Sequence, residues 1–158
     1  MLEELRPMEV VGVRVEMPSN QPIILVKEID GIRYLPIWVG AVEATSIAFA
    51  QQGLTPNRPL THDLLVNVLE HFDQKISSVH LTAITDGVYF SVINFLDGTS
   101  LSARPSDSLA LAIRVGAPVL ATQQLLVDAA IEIPEQADDE VEAFREFLDQ
   151  INPEDFAS

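Results

Sequence analysis

A chain of 158 residues with 47% hydrophobic residues can bury about two thirds of its unfolded surface in one domain, which excludes a disordered protein. The absence of cysteine excludes disulfides, thiolate chemistry and Cys-based zinc sites. A formal net charge of −15 excludes a broad non-specific grip on nucleic acid, so any nucleic-acid chemistry must rest on a local site. The charge is uneven: residues 128–158 hold eleven acids and one base, Arg145. The N-terminal residues lack the basic and apolar regions of a signal peptide, and no apolar run approaches the roughly 20 residues that span a bilayer. A cytoplasmic protein without membrane contact is expected.

Residues 8–17 alternate Val11, Val13, Val15 and Met17 against Val10, Gly12, Arg14 and Glu16, which predicts a half-buried strand. Pro18-Ser19-Asn20 turns the chain into a second strand over 22–29, and Asp30-Gly31 into a third over 33–39. Pro36 lacks an N–H, which places this third strand at an edge or a bulge. Ala41 to Gln52 reads as a helix whose small-residue face, Ala44 and Ala48 beside Ile47, allows close backbone approach, with Gly53 as its C-cap. A second helix follows Asp63, and its Leu64, Leu65, Val68, Leu69 and Phe72 predict one core-facing stripe. Strands over 76–85, 88–95 and 100–103, joined by Asp86-Gly87 and Asp97-Gly98, predict an antiparallel meander.

A helix from Ser106 to Val115 comes next, stopped by Gly116 and Pro118, and then a short strand at 119–121 and a helix over 123–129. Glu132 to Asp139 reads as an acidic linker. Val141, Phe144, Phe147, Leu148 and Ile151 then recur at helical spacing, giving an amphipathic helix that must dock on its own domain or on a neighbour. The expected fold is α+β: a mixed, mainly antiparallel sheet with helices packed on it, plus this C-terminal helix. The domain is expected over residues 1–131, with the linker and helix over 132–158.

Chemistry concentrates at two helix starts. Pro105 suits the first helical position, Ser106 can cap it and Asp107 complements its dipole. Arg104 just before them either builds a small anion site with the free N–H groups or braces the turn by pairing with Asp107 or Glu43. Arg58-Pro59-Leu60-Thr61-His62-Asp63 repeats the plan of Arg-Pro, a hydroxyl and an Asp. If both starts face one cleft, Arg58 and Arg104 would converge on a phosphate. Among three histidines, His62 beside Asp63 is suited to general-base or metal-ligand work. His71 is explained by a helix C-terminus and His80 by the polar face of a strand. Ser106 or Ser108 could complete a triad with His62 and Asp63, although no nucleophile-elbow motif supports it.

The motifs Leu35-Pro36-Ile37-Trp38-Val39-Gly40-x-x-Glu43-Ala44, Arg58-Pro59-Leu60-Thr61-His62-Asp63-Leu64, Asp86-Gly87-x-Tyr89-Phe90 and Ala103-Arg104-Pro105-Ser106-Asp107-Ser108-x-Ala110-Leu111-Ala112 occur in this order. Together they resemble the bifunctional nuclease domain family from about Val10 to Val127. The acidic tail resembles the extension of actinobacterial members. The resemblance implies an α+β fold and, for members so described, cleavage of both DNA and RNA. One departure is Ser102, where many members carry an aspartate; if that acid helps hold a metal, this chain would bind metal more weakly or be inactive.

The leading expectation is a phosphodiesterase acting on DNA and RNA with little sequence preference. In it His62, Asp63, Arg104 and Asp107 are catalytic, with Asp63 orienting His62. Arg58, Thr61, Ser106 and Ser108 bind substrate, while Glu43 and Asp107 recruit Mg²⁺ or Mn²⁺. The alternative is a non-enzymatic regulatory or assembly module that binds a small anionic ligand or a partner protein. A homo-oligomer, with a dimer favoured, is expected through the small-residue helix and the amphipathic tail.

Overall fold

A computed structural model describes residues 4–16 and 18–133. The expected C-terminal helix therefore lies outside the described residues. Strands β1 (Leu5–Glu16), β2 (Gln21–Glu28) and β3 (Arg33–Trp38) lead into helices α1 (Ala41–Gln51) and α2 (Thr61–His71). Strands β4 (Ile76–Thr85), β5 (Val88–Phe95) and β6 (Ser100–Ala103) follow, then α3 (Pro105–Val115), β7 (Val119–Thr122), α4 (Gln123–Ala129) and β8 (Ile131–Glu132). The eight strands form one sheet in the order β6-β5-β4-β7-β1-β2-β3-β8. Every pairing is antiparallel except β4 with β7, the two strands joined through β5, β6 and α3. The fold is thus the expected α+β arrangement, with helices packed on a mainly antiparallel sheet.

The local chemistry explains the strand ends. Asp86 and Gly87 both adopt positive φ, 52° and 78°, the pair of left-handed residues that a tight two-residue hairpin requires. Pro36 pairs with Leu25 on one side and lies beyond β8, which touches β3 only at Arg33 and Tyr34. A missing N–H costs nothing at that open edge. The Pro36 carbonyl instead accepts from Tyr89 Oη at 3.0 Å, tying β3 to β5. Burial pushes the Tyr89 hydroxyl up to about 12, so it stays protonated and able to donate.

The main core gathers Ile24, Val26, Leu35, Ile37, Val79, Leu81 and Ile93 from the sheet with Ile47, Leu109 and Leu125 from the helices. Ala44 and Ile47 of the small-residue face of α1 belong to it and pack inside the domain. Four corrections follow from packing. The apolar stripe of α2 faces outward: Leu64, Leu65, Val68 and Phe72 are all exposed, and His62 is the helix's buried residue. Ser106 is the second residue of α3, whose N-cap is Arg104, and no side chain caps that start. Glu132 lies in β8 rather than in a linker, paired with Arg33 while Ile133 donates its N–H to Ile32. His80 is half-buried beside Ser78, not freely solvated.

Candidate functional site

The N-terminal halves of α1, α2 and α3 meet at a chain of polar side chains. Ser46 on α1 lies 2.7 Å from His62 Nδ1, and His62 Nε2 lies 2.9 Å from Asp107 Oδ1. Asp107 in turn accepts from Arg104, at 2.9 Å from Nε and 3.2 Å from Nη2. Arg104 Nη1 also donates to Glu43 Oε1 at 3.3 Å. The carboxylate of Asp107 can only accept, so His62 donates from Nε2, and in the neutral imidazole Nδ1 is then the nitrogen that accepts from the Ser46 hydroxyl. Ser46 and His62 are buried, whereas the Arg104 side chain is 65% exposed.

Periodicity places these groups. Glu43 and Ser46 are three residues apart and share a face of α1, while Asp107, Leu111 and Arg114 share a face of α3. Gly40 leaves room for the Glu43 carboxylate, since a side chain at that position would collide with Oε2. The electrostatics are self-compensating. Burial pushes the Asp107 carboxyl up, but hydrogen bonds from Arg104 and His62 outweigh it and hold the group below its ordinary value. The hydrogen bond to Asp107 raises Arg104. Two carboxylates around one guanidinium leave the group net negative.

Asp63 does not orient His62. Its carboxylate accepts from Arg114 Nε at 2.7 Å and from the Leu60 N–H at 3.0 Å, which caps α2 from its third residue. The Arg114 hydrogen bond holds Asp63 below the ordinary carboxylate range. Arg114 also donates to the carbonyls of Ser46 and Ala110, so one guanidinium joins three helices. Ser108 is fully buried against Ser91 Oγ, 2.9 Å away, and the Pro105 carbonyl, where it cannot meet a substrate. Ser106 is buried but lines a cavity of about 400 Å³ with Arg104, Glu43 and Trp38. Thr61 is exposed beside His62 on a second cavity. Arg58 is exposed and lines neither of the cavities that Arg104 lines, so the two arginines are not brought together on one cleft.

Sequence reasoning missed Ser46 and Arg114. Their signal was helical spacing: each falls on the face that already carries a singled-out acid, Glu43 or Asp107. For a divalent cation the arrangement does not fit. Glu43 and Asp107 both give an oxygen to Arg104, His62 Nε2 is a donor, and no cluster of three or more His, Asp or Glu able to hold a metal exists among the described residues. No helix among the described residues is long and apolar enough to cross a membrane.

Two uncharacterized proteins, from two strains of Mycobacterium tuberculosis, are each 44% identical to this chain over 156 residues, covering 93% of it and 95% of their own length. The family profile described as the bifunctional nuclease domain matches residues 23–134, which contain every side chain of the Ser46–Glu43 network. The chain belongs to the bifunctional nuclease domain family.

Proposed function

We propose that this protein hydrolyses phosphodiester bonds of DNA and RNA, with little sequence preference, at the junction of α1, α2 and α3. The observation that carries this reading is the hydrogen-bonded line from Ser46 through His62 and Asp107 to the exposed Arg104, opening on the Trp38 cavity. Arg104 is the group that reaches solvent, and a guanidinium matches a phosphate bidentately. Glu43 and Asp107 fix its plane. Trp38, 37% exposed on the same cavity, offers a face on which any base can stack, which suits a site without sequence preference. His62 takes a proton at Nδ1 from a water that replaces the Ser46 hydroxyl as its donor. The hydroxide adds to phosphorus as the P–O bond to the departing sugar oxygen breaks. The imidazolium, stabilised by Asp107, returns the proton to that oxygen.

Purified protein should nick plasmid and degrade RNA, and Arg104→Ala should abolish both. Activity that survives this change, or that separates from the protein on purification, rules the reading out. One observation favours the non-enzymatic alternative: Arg104 is already neutralised by two carboxylates. Thermal stabilisation by a nucleotide with no turnover would select that alternative.

A further inference from the structure

A Ser-His-Asp line forms at His62, with partners other than those its sequence neighbourhood suggests. Ser46 Oγ lies 2.7 Å from Nδ1, and Asp107 Oδ1 lies 2.9 Å from Nε2. A carboxylate on one imidazole nitrogen and a hydroxyl on the other is the arrangement that activates a serine as nucleophile. Ser46 is only 6% exposed, yet it and His62 both line a cavity of about 680 Å³, within the range of small-molecule sites. Arg104, Glu43 and Asp107 do not line this cavity. Its walls carry Ala41, Val42, Phe49 and Leu60, and no Asp, Glu, Lys or Arg.

We propose that Ser46 is the nucleophile of a second activity, the hydrolysis of a small uncharged carboxylic ester whose acyl group enters this cavity. The lining selects that class. An anion would lose its hydration there with no cation to meet it, whereas an apolar acyl group gains by burial. The start of α2 supplies the donors that acyl transfer needs. Thr61 and His62 are its first two residues, so their N–H groups have no acceptor within the helix, and both residues line the cavity with Ser46. The Leu60 N–H just before them is taken by Asp63. An ester carbonyl oxygen facing those two N–H groups would gain charge against paired donors at the positive end of the helix. Ser46 Oγ adds to the carbonyl carbon as its proton passes to His62 Nδ1. The C–O bond to the departing alcohol then breaks, and the imidazolium protonates that oxygen. Water attacks the acyl-serine by the same relay, which frees the carboxylic acid and restores the hydroxyl, while Asp107 stays ionised throughout. This activity shares His62 and Asp107 with the phosphodiester reading and does not rest on it.

Diisopropyl fluorophosphate is the probe: it is neutral and apolar, and an activated serine displaces its fluoride to form a stable phosphoryl ester. The chain contains no cysteine, so no thiol competes for it. The full-length protein is treated with the probe and read by intact mass and by peptide mapping. One adduct per chain is expected, on Ser46, and the labelled protein should lose its hydrolysis of p-nitrophenyl butyrate. His62→Gln, shown to be folded by circular dichroism, should label at least about a hundredfold more slowly. No adduct, adducts on other serines with Ser46 unmodified, butyrate hydrolysis unchanged by labelling, or His62→Gln labelling at the parent rate would each overturn the proposal. The position of the adduct is read on the unsubstituted protein, so it does not depend on a variant folding. A protein that labels at Ser46 but leaves plasmid and RNA intact sinks the nuclease reading alone. One that nicks plasmid without labelling sinks the esterase alone.

Discussion

His62 of α2 donates from Nε2 to Asp107 of α3 across 2.9 Å, joining two helix starts that lie 45 residues apart in the chain. In the neutral imidazole the contact selects the Nε2–H tautomer and leaves Nδ1 as the accepting nitrogen. It also places the negative charge of Asp107 where an imidazolium would form.

Asp107→Asn keeps the shape of the side chain and removes that charge. Phosphodiester hydrolysis should fall by about a hundredfold or more, within the 10²–10⁴ that general acid–base catalysis supplies. Asp63→Asn weakens the tie to Arg114 and should lower Tm while turnover per folded molecule stays within about tenfold. Initial rates on plasmid and RNA, with folded fraction measured by circular dichroism, separate the two effects. Equal losses from both substitutions would remove Asp107 from its special place.

Ser46→Ala deletes the donor that His62 Nδ1 now receives. An unpaired buried acceptor costs about 1–3 kcal/mol, so a drop in stability is expected. Hydrolysis should be retained, because water can occupy the space of the missing hydroxyl. Complete loss of turnover in a folded Ser46→Ala protein would transfer the proton-donating role to the serine.

Much of this arrangement was legible in the residues. Asp-Gly pairs delimited β4, β5 and β6, and Gly116 with Pro118 closed α3, because those residues state their backbone geometry locally. The outward face of α2 was not legible. An apolar stripe at helical spacing reads the same whether it meets the core or a partner, and only the third dimension showed His62 taking the inner position. The partner of Asp63 was equally hidden: sequence proximity favoured His62, while the fold brought Arg114 from 51 residues away. β8 is two residues long and carries no periodicity to detect.

Arg114 illustrates how the site is held rather than what it does. Its side chain is 8% exposed and bonds to Asp63, to the Ser46 carbonyl and to its own helix. Arg114→Ala removes all three ties and leaves the partly buried Asp63 carboxylate with the Leu60 N–H but no cation, for a cost of about 3 kcal/mol. In a domain of this size that corresponds to about 6–12 °C in Tm, which calorimetry would resolve. Arg114→Lys should recover only part of it, since an ammonium cannot span three helices in one plane.

The guanidinium of Arg104 occupies the space between Glu43 and Asp107, where a cation could otherwise bind. Arg104→Gln frees both carboxylates while filling similar volume. Mn²⁺ should then raise the Tm of Arg104→Gln by at least a few degrees and leave that of the unsubstituted protein nearly unchanged. A larger shift in the unsubstituted protein would mean that the arginine moves aside for metal.

The pH dependence of stability has two opposed limbs. Asp63, held down first by the hydrogen bond from Arg114, and Glu28, held down first by that from Arg33, both sit below their ordinary carboxylate values when folded, as does Asp107. Their contributions are present above the unfolded carboxylate range and are lost as pH falls through the folded values, so acid should unfold the domain below about pH 4. Glu16 runs the other way. It is 5% exposed with neither carboxyl oxygen hydrogen-bonded among the described residues, and burial raises its pKa. A raised folded value means stability that is present below the unfolded pKa and lost as pH rises through the folded one. Glu16→Gln keeps the shape without the charge. It should be more stable than the parent at pH 7.5 by about 1 kcal/mol, worth about 2–4 °C, and the difference should vanish near pH 4. Thermal melts of both proteins across pH 4–8 measure it, and a constant difference across that range would show that the Glu16 charge is not its cause.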